Sequence, residues 1–503
     1  MHLHQDHMNH IHAAACAVQL ARLYPSNPSA HLTPAAQRDL QHLLLCVQGL
    51  GRVRLPYMDP RQVANLMWAL AKMQPAIEPG LLHDLLLRAQ AVSERSQLAD
   101  VSNILYCMCR QPRDGVDTVS MLQLLVSTQG LLQPDSRMDG RSLLVIIYSV
   151  ASLRLQPPED WLGAFLDAMQ THVGSLSPQG VSMLLWSLAS MRYRPDDAWL
   201  DAVASTVQRH IPCLGGQGLA AVLWGLAVLQ YLPRPQLMQQ LLAALHEVPA
   251  AQLTPVGILQ VLQALAVCQH NRLATGPGHQ AATLALANIL LPLLAPHLPK
   301  LQPRELCNLL WALAKLRCPP PAAWAAGFQA GMDAAAPRMT TKDVVQLLWA
   351  TATLRLALDR VVVRRLLSST LGSLGDAAAE DICFCLWAAS RLQVRPPVDW
   401  MRQATALLRD QLESAAGTGT GAGMSPSKAA MAALSLAKLG YRPPARLLAA
   451  LRAALHLDAP AAAAEGAATP EVQRRACKVL DEMQELLLLE EEEVGWAASC
   501  TAC

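Results

Sequence analysis

The sequence predicts an all-α fold, a right-handed superhelical α-solenoid of about 38-residue helix-pair repeats, and three observations carry that prediction. The stretch Leu184-Leu185-Trp186-Ser187-Leu188-Ala189-Ser190-Met191 recurs almost unchanged at Asn65 to Met73 and at Asn308 to Leu316, and further copies centre on Trp224, Trp349 and Trp387. The steps from Trp186 to Trp224, Trp311 to Trp349 and Trp349 to Trp387 are each 38 residues, the period of stacked supersecondary units. Apolar residues make up 52% of the chain but aromatics only 4%, so the apolar content is mostly Ala and Leu, both strong helix formers. No stretch alternates as a strand would.

In chain order, residues 1–12 form a His-rich start (His2, His4, His7, His10, His12), read as a frayed first helix rather than a metal site. This start lacks the Arg- and Ser-rich character of an organelle transit peptide, so an imported protein would have its true start upstream. The repeats occupy residues 13–456. With the Trp position as reference, the series is Val18, Trp68, Tyr106, Tyr148, Trp186, Trp224, Gln263, Trp311, Trp349, Trp387 and Leu434, which makes eleven units. Two long gaps imply Gly-rich loop insertions near 271–283 and 415–426. Each unit reads as two helices. In the motif-bearing helix around Trp186, Ser177 is the N-cap and Pro178 stands in the first turn, a signal repeated at Asp59-Pro60, Thr254-Pro255 and Ser425-Pro426. The chain must turn before Pro195. The partner helix starts near Pro157-Pro158-Glu159-Asp160-Trp161, with acids where the helix dipole favours them, and continues through Leu162, Phe165 and Met169. Residues 457–470 read as a low-complexity linker and 471–503 as a capping helix and tail.

Composition narrows the function classes. A net charge of +2 with 16% charged residues does not describe a globally basic nucleic-acid binder, so any basic surface must be local. Mean hydropathy is +0.22, yet the most apolar stretch, Ala281 to Pro299, is interrupted by Asn288, Pro292, Pro296 and His297 and reads as buried solenoid helix. The 13 Cys fall mostly inside helical patterns, as expected of buried free thiols, and Cys500 and Cys503 lack the second pair a zinc site needs. No Gly-rich phosphate loop, nucleophile elbow, metal-spaced His set or paired carboxylates appear, so no catalytic residue, metal or cofactor is expected. His210, His246, His297 and His456 are isolated.

On a helical wheel with the Trp position at 0°, the positions five, two and one before it and two after it fall at about 160° to 260° and form the core stripe. Positions seven and three before, and four after, fall at about 20° to 60°. They hold Arg61, Asn65 and Lys72; Asn103 and Arg110; Gln179; Gln217; Gln260; Arg304, Asn308 and Lys315; Lys342 and Gln346; Arg391; and Lys438. The position four after is Lys or Arg in six of the eleven units, Arg22 among them. Stacking would align these side chains along a concave face, with cations for phosphates and amides for base edges, as a single nucleic-acid strand requires. Arg154, Arg192, Arg317 and Arg355, six past the Trp position, read instead as cations complementing helix C-termini. The Trp side chains read as inter-repeat packing rather than exposed stacking platforms.

The L-L-W-A-L-A-K-L core, the 38-residue period, the preceding Ser-Pro or Thr-Pro and the Pro-Pro-x-x-Trp signature together resemble the octotricopeptide repeat family of green algae. The signature stands here at Pro157 to Trp161, Pro320 to Trp324 and Pro396 to Trp400. The resemblance covers nearly the whole chain. It implies a non-catalytic binder of single-stranded organelle RNA, in chloroplast or mitochondrion, acting in RNA stability, processing, splicing or translation, with about one nucleotide per repeat. Two departures matter: no RAP domain is recognisable, and Gln263 and Leu434 replace the Trp, so the RNA register is expected to break there. The alternative is a protein-binding scaffold of the HEAT or armadillo kind, because stacked helix pairs suit either partner.

Overall fold

The computed structural model describes residues 8–23, 33–73, 77–112, 117–132, 139–231, 233–270, 277–321, 324–356, 358–418, 424–456 and 471–483. Among these the secondary structure is α-helix joined by short 3-10 turns, with no strand. The chain forms two compact units, Met1–Ala264 and Leu265–Cys503.

Every position of the reference column lies on a helix, and each such motif helix is followed by a partner helix. In the first unit the motif helices His10–Leu23, Pro60–Met73, Leu98–Cys109, Gly140–Leu153, Pro178–Met191 and Gly216–Val228 pack each against the next. In the second, Pro303–Leu316, Thr341–Leu354, Ala379–Arg391 and Pro426–Lys438 do the same. Successive equivalent helices therefore lie side by side, as in an α-solenoid.

Local sequence explains where these helices begin and end. Ser177 Oγ accepts from Gly180 N at 3.1 Å, Thr254 Oγ1 accepts from Gly257 N at 3.1 Å, and Asp59 and Gln62 cap each other reciprocally. Where no Ser or Thr precedes the Pro, an acid three residues inside closes a capping box, as Glu305 does by accepting from Gln302 N at 2.8 Å. Seven exits share one form. Arg154, Arg192, Gln230, Arg317, Arg355, Gln393 and Gly440, each six past the reference position, all have φ between 52° and 64°. The amide of the left-handed residue and the one after it bond back, as Arg192 N to Ala189 O and Tyr193 N to Leu188 O do, in the Schellman turn.

The core lies on the predicted stripe: Val63, Leu66, Met67 and Leu70, and likewise Val181, Leu184, Leu185 and Leu188, are all 0% exposed. The residue just past the reference position is small and buried, as with Ala69, Ser149, Ser187, Ala312, Ala350 and Ala388, so neighbouring motif helices approach closely. Gly225 is the extreme case, because a Cβ there would lie 2.9 Å from Leu185 Cβ and 3.1 Å from its carbonyl carbon. On the partner helices, the aromatic of the Pro-Pro-x-x-Trp signature is core: Trp161 and Trp400 are fully buried, and Trp400 Nε1 donates to Thr370 Oγ1 at 3.0 Å.

Several sequence expectations meet the structure differently. The helix Pro277–Leu294 occupies the later part of the expected 271–283 loop, with Pro277 pre-set for a first turn and Ala and Leu continuing it. Residues 271–276 lie outside the described residues. The helix Val398–Thr418 runs into the expected 415–426 insertion, of which 419–423 lie outside the described residues. So do 1–7, the 457–470 linker, and 484–503 with its acidic run and Cys pair; 471–483 are helical. No helix among the described residues is long and apolar enough to cross a membrane. Cys107, Cys268, Cys307, Cys318, Cys383 and Cys385 are free and buried.

Candidate nucleic-acid interface

In the first unit, motif helices from four successive repeats line one cleft of about 550 Å³. Arg22, Asn65, Lys72 and Asn103 face it together with the rings of Trp68 and Tyr106. Lys72 Nζ lies 5.3 Å from the centre of the Trp68 ring. Asn65 and Asn103 are half-buried, and their amides have no hydrogen-bond partner among the described residues. The cleft thus offers aromatic faces, free amides and cations in one place. Asp139, Arg141 and Ser142 close its far side.

The remaining predicted residues of this unit fall outside the cleft. Arg61, Arg110 and Gln179 are exposed at their expected positions. Gln217 Nε2 donates to Gln260 Oε1 at 3.3 Å, while Gln217 Oε1 accepts from Thr254 Oγ1 at 2.7 Å. That amide pair is occupied by neighbouring repeats.

In the second unit, Lys315 is half-buried and lies 5.9 Å from the Trp311 ring and 5.0 Å from the Trp349 ring of the next repeat. Burial pushes its ammonium below the usual lysine range, and Nζ is 3.5 Å from His270 Nδ1. Arg391 lies over Trp387 at 5.6 Å and donates to Ala352 O at 3.4 Å. Gln346 Nε2 donates to Asn308 Oδ1 at 3.3 Å and to Cys307 O at 3.2 Å, so this amide pair also spans two repeats. Arg304, Lys342 and Lys438 are exposed.

Two features differ from what the sequence suggests. The first is the reference Trp itself. The sequence reads these rings as inter-repeat packing; Trp68, Trp186, Trp224, Trp311, Trp349 and Trp387 are half-buried, and Tyr148 is 41% exposed. Contacts between repeats are present at Tyr148 and Trp186, whose rings lie 5.4 Å apart, and at Trp349, under Lys315 of the preceding repeat, but the rings are only partly covered. The wheel contained that signal, because 0° adjoins the polar positions and lies opposite the core stripe.

The second is the Arg column six past the reference. A left-handed non-glycine residue costs about 1 to 2 kcal/mol relative to the ordinary helical conformation. An exposed cation at a helix C-terminus returns about 0.3 to 1 kcal/mol. Complementing the dipole therefore does not by itself favour Arg over Gly at Arg154, Arg192, Arg317 or Arg355.

Residues 284–394 match the family described as Tbc2 translation factor, N-terminal domain. The matched segment includes the motif helices Pro303–Leu316, Thr341–Leu354 and Ala379–Arg391, and with them Arg304, Asn308, Lys315, Lys342, Gln346 and Arg391. Comparison with curated proteins returns no match. Among solved structures, the chain is similar to a homology model of the full-length AP-3 complex in an intermediate open conformation, at 12% identity and a TM-score of 0.26, over 96% of this chain and 88% of that one. It is also similar to a circular tandem repeat protein with novel repeat topology and enhanced subunit contact surfaces, at 14% identity and a TM-score of 0.18, over 97% and 99%.

Proposed function

We propose that this protein is a non-catalytic, sequence-selective binder of single-stranded RNA that acts in organelle post-transcriptional gene expression, in chloroplast or mitochondrion. The observation that carries the reading is the first-unit cleft, where Trp68 and Tyr106 rings, Asn65 and Asn103 amides, and Arg22 and Lys72 cations from successive repeats converge. Each group matches one part of a single strand. Rings stack on bases of any identity, cations meet phosphates, and unpaired amides hydrogen-bond base edges. Repetition multiplies these interactions along the strand, so local charge suffices although the net charge is only +2.

The match of residues 284–394 to a translation-factor domain supports a role in translation among the post-transcriptional functions. The period and the tryptophan motifs, shared with octotricopeptide repeat proteins, support the organelle assignment.

The test is selection of binding sequences from a random single-stranded RNA pool with the full chain. Enrichment of a motif, with affinity that falls steeply as salt rises, is the expected result. Salt-sensitive binding without any motif would remove the sequence-selective part, and absence of binding would favour the protein-binding scaffold.

A further inference from the structure

Seven motif helices end on a left-handed residue six past the reference position, and six of those residues have a long polar side chain, far more often than the backbone favours. Arg154 and Arg192 in the first unit, and Arg317 and Arg355 in the second, hold φ between 52° and 56° where Gly440, in the equivalent place, shows the residue that fits without strain. Gln230 and Gln393 occupy the same place with the same backbone. The guanidiniums are not needed to cap the helices. The orphan carbonyls already accept backbone bonds, Ala314 O from Arg317 N at 3.2 Å and Leu313 O from Cys318 N at 3.0 Å; Arg154 and Arg192 repeat both bonds, and at Arg355 the bond from Leu356 N to Thr351 O is kept at 3.0 Å. All four Arg are exposed, and none has a side-chain hydrogen bond or ion pair among the described residues.

In the second unit their placement is explicit. Arg355 and Gln393 line a cleft of about 420 Å³ together with Arg391, a cation of the row four past the reference position. The two rows therefore meet at the ends of consecutive motif helices. Ala352, Leu356, Leu358 and Leu392 supply the cleft's apolar wall, and among the described residues no carboxylate lines it. Free guanidiniums repeating along a stack, with no anion of their own, suit a repeating anion, and guanidinium geometry matches the paired oxygens of a phosphodiester.

We propose that the left-handed arginines six past the reference position, Arg154 and Arg192 in the first unit and Arg317 and Arg355 in the second, form in each unit a second row of phosphodiester-binding side chains for single-stranded RNA, flanking the row that contains Lys72, Lys315 and Arg391. This rests on the RNA-binding reading above. It assigns the side chains at the helix ends to the RNA backbone and leaves the amides and rings to the bases.

The experiment uses the full chain with all four Arg replaced, once by Gln (R154Q, R192Q, R317Q, R355Q) and once by Gly at the same positions. Gln is already tolerated at this turn in Gln230 and Gln393, and Gly relieves the backbone. The probe is a labelled random-sequence single-stranded RNA pool, titrated across a salt series, with thermal melting alongside. Both variants are expected to melt at or above the wild-type temperature and to bind at least tenfold more weakly at low salt. The slope of log affinity against log salt should become shallower by about 0.7 for each phosphate that the variant no longer neutralises. If wild type binds the pool and both variants keep its affinity and salt slope, the second row does not exist, while the RNA-binding reading stands. If wild type does not bind the pool, the RNA-binding reading itself fails. A variant that melts well below wild type would return these arginines to a capping role and overturn the proposal.

Discussion

Lys315 holds its ammonium over the ring of Trp349 in the following repeat, 5.0 Å from the centroid, while remaining 5.9 Å from Trp311 on its own helix. One cation thus joins two repeats through their aromatic faces. Burial lowers its pKa, so between that depressed value and the usual lysine value the unfolded chain binds more protons than the folded one. Stability contributed at this site therefore rises with pH through that window. Melting wild type and Lys315→Met from pH 8 upward should show wild type gaining relative to the variant as pH approaches the ordinary lysine pKa. A constant difference would show that the site does not titrate.

Replacing Lys72, Lys315 and Lys438 together by Glu should weaken binding to every RNA sequence tested. All three positions belong to the same row, and two of the side chains lie over tryptophan rings. Electrophoretic titrations against unrelated single strands would reveal the weakening, and unchanged binding would remove this row from the interface.

Asn65 and Asn103 line the first-unit cleft with free amides, whereas Asn308 is engaged by Gln346. Replacing Asn65 or Asn103 by Ala should change which base is preferred, by about 1 to 3 kcal/mol at one position, with little change in affinity for random RNA. Asn308→Ala should shift preference less, and should also loosen the junction with the next repeat. Sequencing of pools selected by each variant would distinguish the two behaviours.

The two tryptophan columns should respond oppositely. Trp161 is fully buried, so Trp161→Ala should destabilise the fold by about 3 to 5 kcal/mol. Trp68 is half-buried and faces the cleft, so Trp68→Ala should cost less stability but about 1 to 3 kcal/mol of RNA affinity through reduced stacking. Denaturant melts and RNA titrations on the same two variants separate these effects.

Burial raises the Cys107, Cys307, Cys383 and Cys385 thiols to about 12 and Cys268 to about 11. At pH 8 these should resist alkylation in the folded protein, whereas exposed Cys213 should react readily. Mass spectrometry of iodoacetamide-treated native and denatured protein would show which sites change. Fast native labelling at Cys383 or Cys385 would contradict the packing of the helix Ala379–Arg391.

Much of this architecture was legible in the sequence because a repeat announces itself many times over. The stripe containing Leu184, Leu185 and Leu188 fixed the buried side, and the Ser177-Pro178 pair fixed a helix start. What could not be read was how side chains share a surface. Asn65 and Asn308 occupy equivalent positions, yet one is free and the other is held by Gln346, because the neighbour three-dimensionally opposite differs. Arg154 and Arg192 looked like ordinary helix-end cations, since a left-handed backbone leaves no mark on composition when the residue is not Gly or Asn. Helix-forming Ala and Leu after Pro277 outweighed the Gly-rich stretch that suggested a longer loop.

At Gly225 the motif helix Gly216–Val228 lies so close to Leu185 that an added Cβ would meet that residue's side chain and backbone, whereas most other repeats carry Ala or Ser at the equivalent position. A single added side-chain carbon at this position would therefore press the two motif helices apart. Replacing Gly225 by a larger residue should widen the step between these two motif helices while leaving every polar side chain of the surface in place.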